Sequence, residues 1–488
     1  MRFSAACLAL SLGLTSLAAP AALNLADVPL QLLPAGLRAD TAEVLRSAPL
    51  SFATGVPLSL DEQDGVWDEP TPGTARWRLR LASGGALNLS AHLEQLQLPQ
   101  GGEIWFSSAD GRDVQGPFRG DGELLLPIVR DDEAVLEARM PAAGRDAFRL
   151  RVAEAFHGFR ALGSAALPAK GAIGDADGDC HIDVACSEGN AWRREIRSTV
   201  VYTRLIRLLV GTSLVTCSGA MVNNTAQNDR PLVLTANHCG ITSSTRMSDV
   251  TVYFNVQKAS CGSSTDGPIN QNLRGGRFLA RDSESDFTLF ELASSPPSSY
   301  GVHYSGWDAR SGNAASSGVG IHHPGGDDKK ISAFNTSLQA VENAQIDTFR
   351  VDGWQVRWAR GVTEQGSSGS GLWNQDHRLV GTLSGGSSSC SNPGGGDIYA
   401  RFNRAWTANN ASTGQLKAHL DPTGSGALTL NGKDAGGSPG AVGEPPSSSS
   451  GGGSGGSAGG GGGGALGWPL LLPALLLVAL RRRECGMR

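Results

Sequence analysis

The sequence predicts an all-β protein in which a small β-rich domain precedes two packed, six-stranded antiparallel barrels. Alternation with period 2 is one reason: Ala75-Arg76-Trp77-Arg78-Leu79-Arg80-Leu81 and the run 123–129 recur between Gly, Pro and Asp turns, as half-buried strands do. A second is the series of short apolar runs at 214–222, 231–236, 250–256, 287–292, 349–358 and 379–383, each bounded by Gly, Ser, Asn or Asp. About 250 residues of this pattern suit two barrels better than one sandwich of about 100 residues. The third is cysteine usage, with none between Leu23 and Lys170 and six between Cys180 and Cys390. Two units with different fates follow from that partition.

Taken in order, the chain of 488 residues is too long for one ordinary domain. Residues 1–21 carry Arg2, an apolar stretch and a cluster of small residues ending at Ala21, the pattern of a signal peptide removed by signal peptidase. Export removes Cys7 from the count and Cys485 lies at the far end, leaving an even six in an oxidising compartment, consistent with three disulfides. Residues 22–170 read as a β-rich propeptide, with an accessory binding domain as the competing reading. The stretch 165–179, rich in Ala, Gly, Pro and Asp around Lys170-Gly171, has no periodicity and makes an exposed, cleavable linker.

The barrels occupy 171–435, with a short closing helix expected over 415–420. Residues 436–464 are almost wholly Gly, Ser, Pro and Ala, a flexible linker without core-forming residues. Residues 465–488 then combine a Leu/Ala-rich run, broken by Pro469 and Pro473, with Arg481-Arg482-Arg483. The apolar part falls short of the roughly 20 residues of a comfortable membrane span, yet its basic flank obeys the positive-inside pattern. A membrane-directed processing tail is the expectation. The formal net charge of −5 and pI near 6.0 give no basic bias, so no nucleic-acid partner is expected.

The chemistry is expected at Gln365-Gly366-Ser367-Ser368-Gly369-Ser370-Gly371. A turn so poor in side chains can expose one hydroxyl while backbone N–H groups point at the same spot, serving nucleophile and oxyanion hole together. Ser368 is the candidate nucleophile, and the N–H groups of Gly366 and Ser368 the candidate hole. A serine needs a base and a carboxylate to orient that base. Among nine histidines, His238 ends the apolar run Leu232-Val233-Leu234-Thr235-Ala236 beside Cys239, and pairing Cys239 with Cys217 would staple its loop. Asp286 stands at the mouth of the apolar strand Phe287-Thr288-Leu289-Phe290, whereas Asp282 and Glu284 read as solvated. His238, Asp286 and Ser368 run in the order of one of the three unrelated triad arrangements.

With these residues in place, the region from Cys180 to about Pro422 resembles the chymotrypsin-fold (trypsin-like) serine endopeptidases, and most of all the bacterial lysyl endopeptidases. The matching stretches are Cys180-His181-Ile182-Asp183-Val184-Ala185-Cys186, Met221-Val222-Asn223-Asn224-Thr225, Leu234 to Gly240, Ser285 to Leu292, Gly306-Trp307-Asp308, Ile321-His322-His323-Pro324, Val362 to Ser370 and Ser388-Ser389-Cys390-Ser391. The resemblance implies the disulfides Cys180–Cys390, Cys186–Cys261 and Cys217–Cys239, a choice among 15 pairings that sequence cannot make. It also makes His322-His323 a loop motif, so no metal or other cofactor is expected.

A trypsin-like pocket needs a carboxylate at its base. Six positions before the serine, where the digestive trypsins carry it, stands Val362. By the resemblance Asp397 supplies the charge, in a pocket walled by Ser384, Gly385 and Gly386. Two departures stand out: Ser384 occupies a position that is His in the family, and the Trp that stacks near that His has no evident match around Gln345. Both losses should open the pocket and alter the shielding of the imidazole. Cleavage after basic residues is expected, with Lys and Arg not separated. The resemblance also suggests self-cleavage between Lys170 and Gly171. The tail resembles the bacterial Gly-Gly sorting tails, which implies a rhomboid-type sorting protease, type II secretion, transient membrane association, and display at or release from the cell surface. A scaffold that had lost activity and served as a surface-displayed binding protein is the alternative, and the intact triad argues against it.

Overall fold

A computed structural model describes residues 25–34, 51–162, 180–209, 211–312, 314–439 and 442–443, and the described residues form one compact unit. The signal segment, the Lys170-Gly171 junction and the tail 465–488 lie outside the described residues, as does most of the 436–464 linker.

The expected architecture is present. Six strands make the first barrel: β1 (Thr199–Arg207), β2 (Thr212–Met221), β3 (Leu232–Thr235), β4 (Val250–Phe254), β5 (Asn272–Asp282) and β6 (Phe287–Leu292). They pair in the order β1-β4-β5-β6-β3-β2, and β2 pairs back onto β1, so the barrel is closed and has no internal free edge. The inward-facing residues of these strands, including Val200, Tyr202, Val233, Val252 and Phe290, fill the interior.

The second barrel uses β7 (Gly318–His322), β8 (Lys330–Phe334), β9 (Phe349–Arg357), β10 (Gly371–Asn374), β11 (Arg378–Gly386) and β12 (Gly396–Arg401). The pairing order is β8-β7-β10-β11-β12-β9, every pair antiparallel, and a bridge from Ala333 to Arg360 brings the two ends together. Phe334, Trp354, Leu372 and Tyr399 pack inside it. Leu234, Phe287, Trp307, Ile321 and Trp373 share a further core that joins the barrels. The closing helix is shorter than expected: Lys417–Leu420 is helical after a 3-10 turn at Ser412–Gly414, since the backbone of Gln415 is extended and the helix starts only after Leu416.

The N-terminal domain is a β-sandwich. One sheet holds Leu30–Leu32, Val66–Thr71, Thr74–Ala82, Glu133–Pro141, Glu103–Ser108 and Val114–Phe118; the facing layer holds Ser51–Asp61, Arg149–Gly158, Asn88–Gln97 and Leu124–Leu125. Trp77, Leu79, Ile104, Phe106, Leu136 and Phe148 are among the residues buried between them. This core lies wholly within the N-terminal domain, so the domain has the means to fold alone. Among the described residues no helix is long and apolar enough to cross a membrane.

Candidate active site

The site lies where loops of both barrels meet. β3 ends at Thr235 and the chain turns through a 3-10 segment, Asn237–Cys239, that presents His238. The disulfide Cys217–Cys239 ties this turn to β2, while Cys180–Cys390 and Cys186–Cys261 anchor the N-terminal lead of the barrels. All three pairs are those implied by the resemblance.

Asp286 sits in the tight β5–β6 connection with φ 40°, a left-handed conformation uncommon outside glycine and Asn/Asp. Its carboxylate is fully buried and takes several donors. The His238 backbone N–H donates to Oδ1 at 2.9 Å, and His238 Nδ1 lies 2.9 Å from Oδ2 and 3.2 Å from Oδ1. Ser384 Oγ donates to Oδ2 at 2.6 Å. A carboxylate facing Nδ1 fixes the proton on that nitrogen and leaves the Nε2 lone pair for proton transfer. The Phe349 ring stacks on the imidazole, with centroids 5.3 Å apart and planes at 22°.

With the family's His and Trp both replaced, the face of the imidazole is covered by Phe349. Ser384 is not merely a thinner pocket wall, since its hydroxyl is spent on Asp286. Sequence spacing could not find Phe349: it reaches His238 only through the hairpin of Gln339–Ile346 with β9, whose tip is held by Gln345 Nε2 donating to the carbonyls of Asp347 and Phe349.

The serine turn is pinned from several sides. Ser218 of β2 donates its N–H to the Ser368 carbonyl and its Oγ to the Gly366 carbonyl, each at 2.9 Å. Gly369 N–H bonds the Leu383 carbonyl, and Leu383 N–H returns a bond to Ser370. Glycine is required at 366 and 369, which have φ 92° and 80°; a Cβ on Gly369 would overlap Thr235 Oγ1 and the Ser218 carbonyl. The Gln365 carbonyl accepts the Gly325 N–H at 2.5 Å. Because a trans peptide holds its C=O and N–H on opposite sides, the Gly366 N–H points away from that loop. Neither the Gly366 nor the Ser368 N–H has an acceptor among the described residues. Ser368 itself is partly exposed, and the His238 side chain is 18% exposed.

Ser367 bonds backward rather than outward. Its Oγ lies 2.8 Å from His322 Nδ1, and His322 Nε2 lies 3.1 Å from Ser332 Oγ. Burial holds His322 well below the ordinary histidine range, so a neutral ring bridges two hydroxyls by donating to one and accepting from the other. His323, pushed down to about 3 by burial, points Nδ1 at the Asp327 carbonyl. Both motif histidines brace loops.

Asp397 is fully buried between β9 and β11. Trp358 Nε1 (2.6 Å), Thr363 Oγ1 (2.7 Å) and Ser388 Oγ (2.5 Å) all donate to Oδ2, whereas Oδ1 receives only the Ser388 backbone N–H at 3.2 Å. Gly386 packs so closely on Oδ1 that a Cβ there would overlap it. Gly385, φ 153°, continues the same wall. Trp358, Thr363 and Ser388 were not singled out by sequence; hydroxyls and indoles around a carboxylate leave no pattern until the strands pair.

Residues 173–400 match the family model described as the C-terminal domain of lysyl endopeptidase. Over 385 residues the chain is 30% identical to a lysyl endopeptidase of Pseudomonas aeruginosa, covering 72% of this chain and 79% of that one. Among solved structures, the active form of the Rv3671c protease from M. tuberculosis aligns with 16% identity and TM-score 0.33, covering 51% of this chain and 95% of that chain. The HtrA-type protease AlgW with a tripeptide gives 14% identity and TM-score 0.30, covering 44% and 60% respectively. On the sequence match that spans most of both proteins, this chain belongs to the lysyl endopeptidase family and is a serine endopeptidase.

Proposed function

We propose that Ser368 attacks the scissile carbonyl, His238 takes its proton through Nε2 and later gives it to the leaving amine, and Asp286 orients and stabilises the imidazolium. The Gly366 and Ser368 N–H groups would hold the tetrahedral oxyanion. The observation that carries this reading is the buried Asp286 carboxylate bonded at once to His238 Nδ1, the His238 backbone and Ser384, an arrangement that supports one tautomer and one orientation of the imidazole. No cofactor enters the mechanism.

The substrate side chain before the cut is lysine. Asp397 spends Oδ2 on three donors and keeps Oδ1 nearly free. A single under-used acceptor suits a compact ammonium, whereas a guanidinium fork would need two. Cleavage after Lys170 by the same specificity would release a propeptide of residues 22–170 from the protease of 171–435. Export through the signal 1–21 and sorting through the 465–488 tail belong to the same proposal, with a rhomboid-type protease and type II secretion as the machinery.

The mature protein incubated with a mixed peptide library should cut after Lys, and Asp397→Asn should lower kcat/KM for Lys substrates by about two to three orders of magnitude. Cuts after Arg at equal efficiency would overturn the lysine preference, and unchanged Lys preference in the variant would remove Asp397 from the pocket.

A further inference from the structure

The N-terminal domain does more than precede the barrels. Its strand Ser51–Asp61 extends the first barrel's sheet, pairing antiparallel with β2 so that Thr54 faces Ser213, Ala53 faces Leu214 and Ser51 faces Val215. Phe52, Ile128 and Leu162 bury against Leu205, Leu214 and Ile269. Polar contacts fix the register: Ser213 Oγ donates to the Ala53 carbonyl (2.7 Å), the Ile128 N–H to Tyr253 Oη (3.1 Å), and Arg130 Nη1 to the Gly267 carbonyl (2.8 Å).

The place of this seam relative to the chemistry is specific. β2 runs on from Val215 through Thr216 and Cys217 to Ser218, which holds the serine turn, and Cys217 is bonded to Cys239 beside His238. Leu162 and Ala161 lie over Gly326 and Thr216: a Cβ on Gly326 would stand 3.2 Å from Leu162 Cδ1, 3.5 Å from Thr216 Cγ2 and 3.7 Å from the Ala161 carbonyl. Gly325, next along that loop, is the residue bonded to Gln365 behind the oxyanion turn. The Asp397 pocket is built from Trp358, Thr363, Gly386 and Ser388, all of the second barrel. Since that pocket takes the residue before the cut and His238 must protonate the departing nitrogen, the leaving half of a polypeptide departs over Cys217–Cys239, along the edge of β2.

We propose that the N-terminal domain inhibits the protease from this leaving-group side alone. By adding its own strand to β2, it occupies the edge that a polypeptide needs beyond the scissile bond, and after the chain is cut it stays as a non-covalent inhibitor. Ser368 and His238 stay partly exposed with the domain in place, and the Asp397 site lies wholly on the second barrel, away from the added strand. A substrate with nothing bulky after the cut therefore escapes inhibition. This rests on the assignment of 22–170 as a propeptide and on the proposed triad.

The test titrates mature enzyme with the isolated 22–170 domain and follows two reactions, hydrolysis of an acetyl-lysine methyl ester and of a peptide carrying four residues after its lysine. Peptide hydrolysis should fall more than about tenfold while ester hydrolysis stays within about twofold. Phe52→Asp in the added domain should abolish the effect. Uncut full-length precursor, with Lys170→Gln blocking separation, should show the same split between ester and peptide, which covers the case of a domain that does not refold when isolated. Equal loss of both activities, or no loss of either, overturns the proposal. Mature enzyme that hydrolyses neither substrate before any domain is added refutes the triad assignment instead, and a mature N-terminus other than Gly171 refutes only the processing site.

Discussion

Ser384 shows how one hydroxyl can serve a reaction it never touches. It donates a 2.6 Å bond to Asp286 Oδ2 inside a fully buried cluster, where a bond to a charged group is worth about 1.5–3 kcal/mol. Its removal should loosen the carboxylate bonded to His238 and leave Asp397, the proposed base of the pocket, untouched. Ser384→Ala should thus lower kcat about tenfold or more with KM nearly unchanged, measured by steady-state kinetics on a lysyl peptide. A rise in KM with kcat intact would make Ser384 a pocket residue only, as its place in the sequence first suggests. The residues of the proposed triad stand out in the sequence because each carries a local sign: a histidine beside a cysteine, an aspartate opening an apolar strand, a serine among glycines. Phe349 and Ser384 carry no such sign. An aromatic at the head of a strand is ordinary core material, and only the hairpin's register brings its ring over His238.

The elements explain why the serine turn needs its glycines. Gly369 combines φ 80° with contact against Thr235 and Ser218 on the opposite barrel. Positive φ alone strains a non-glycine residue by about 1–3 kcal/mol, and here the overlap with backbone adds to it. Gly369→Ala should lower Tm by about 5 °C or more and abolish hydrolysis, by calorimetry and activity on one preparation. Unchanged melting would mean the turn is held less tightly than its contacts require. In sequence this stretch looks like any Gly/Ser-rich run, such as 447–464, and what pins it are bonds from Ser218, Gly325, Leu383 and His322, residues outside the turn. The strands themselves were readable from alternation and apolar runs, whereas the pairing of Ser51–Asp61 with β2 was not, because strand periodicity says which face is buried but not which edge is shared.

At the scale of the whole molecule, stability in acid draws on ion pairs such as the one between Glu291 and Arg230. Glu291 of β6 is held down to about 2, chiefly by its hydrogen bond from Arg230, with Arg277 adding a second. Its ordinary value is 4.5. A carboxyl depressed in the fold stabilises fully above its unfolded value and loses that contribution as pH falls toward its folded value, so the loss spans pH 4.5 down to about 2. Glu291→Gln should be less stable than wild type at pH 6, with the gap closing as pH drops through this window, in urea melts at each pH. A gap independent of pH would assign the effect to packing. The division into a cysteine-free domain and a cysteine-bearing pair of barrels was visible in the sequence; that the two share one continuous sheet was not.

The central claim is that a single hydroxyl, in a turn that holds three serines, carries the reaction. Peptide mass mapping of mature enzyme treated with an alkyl phosphonofluoridate tests it directly. The adduct should fall on Ser368, and should vanish in His238→Ala. An adduct on Ser367 or Ser370, or full hydrolytic activity in an enzyme stoichiometrically labelled at Ser368, would contradict it.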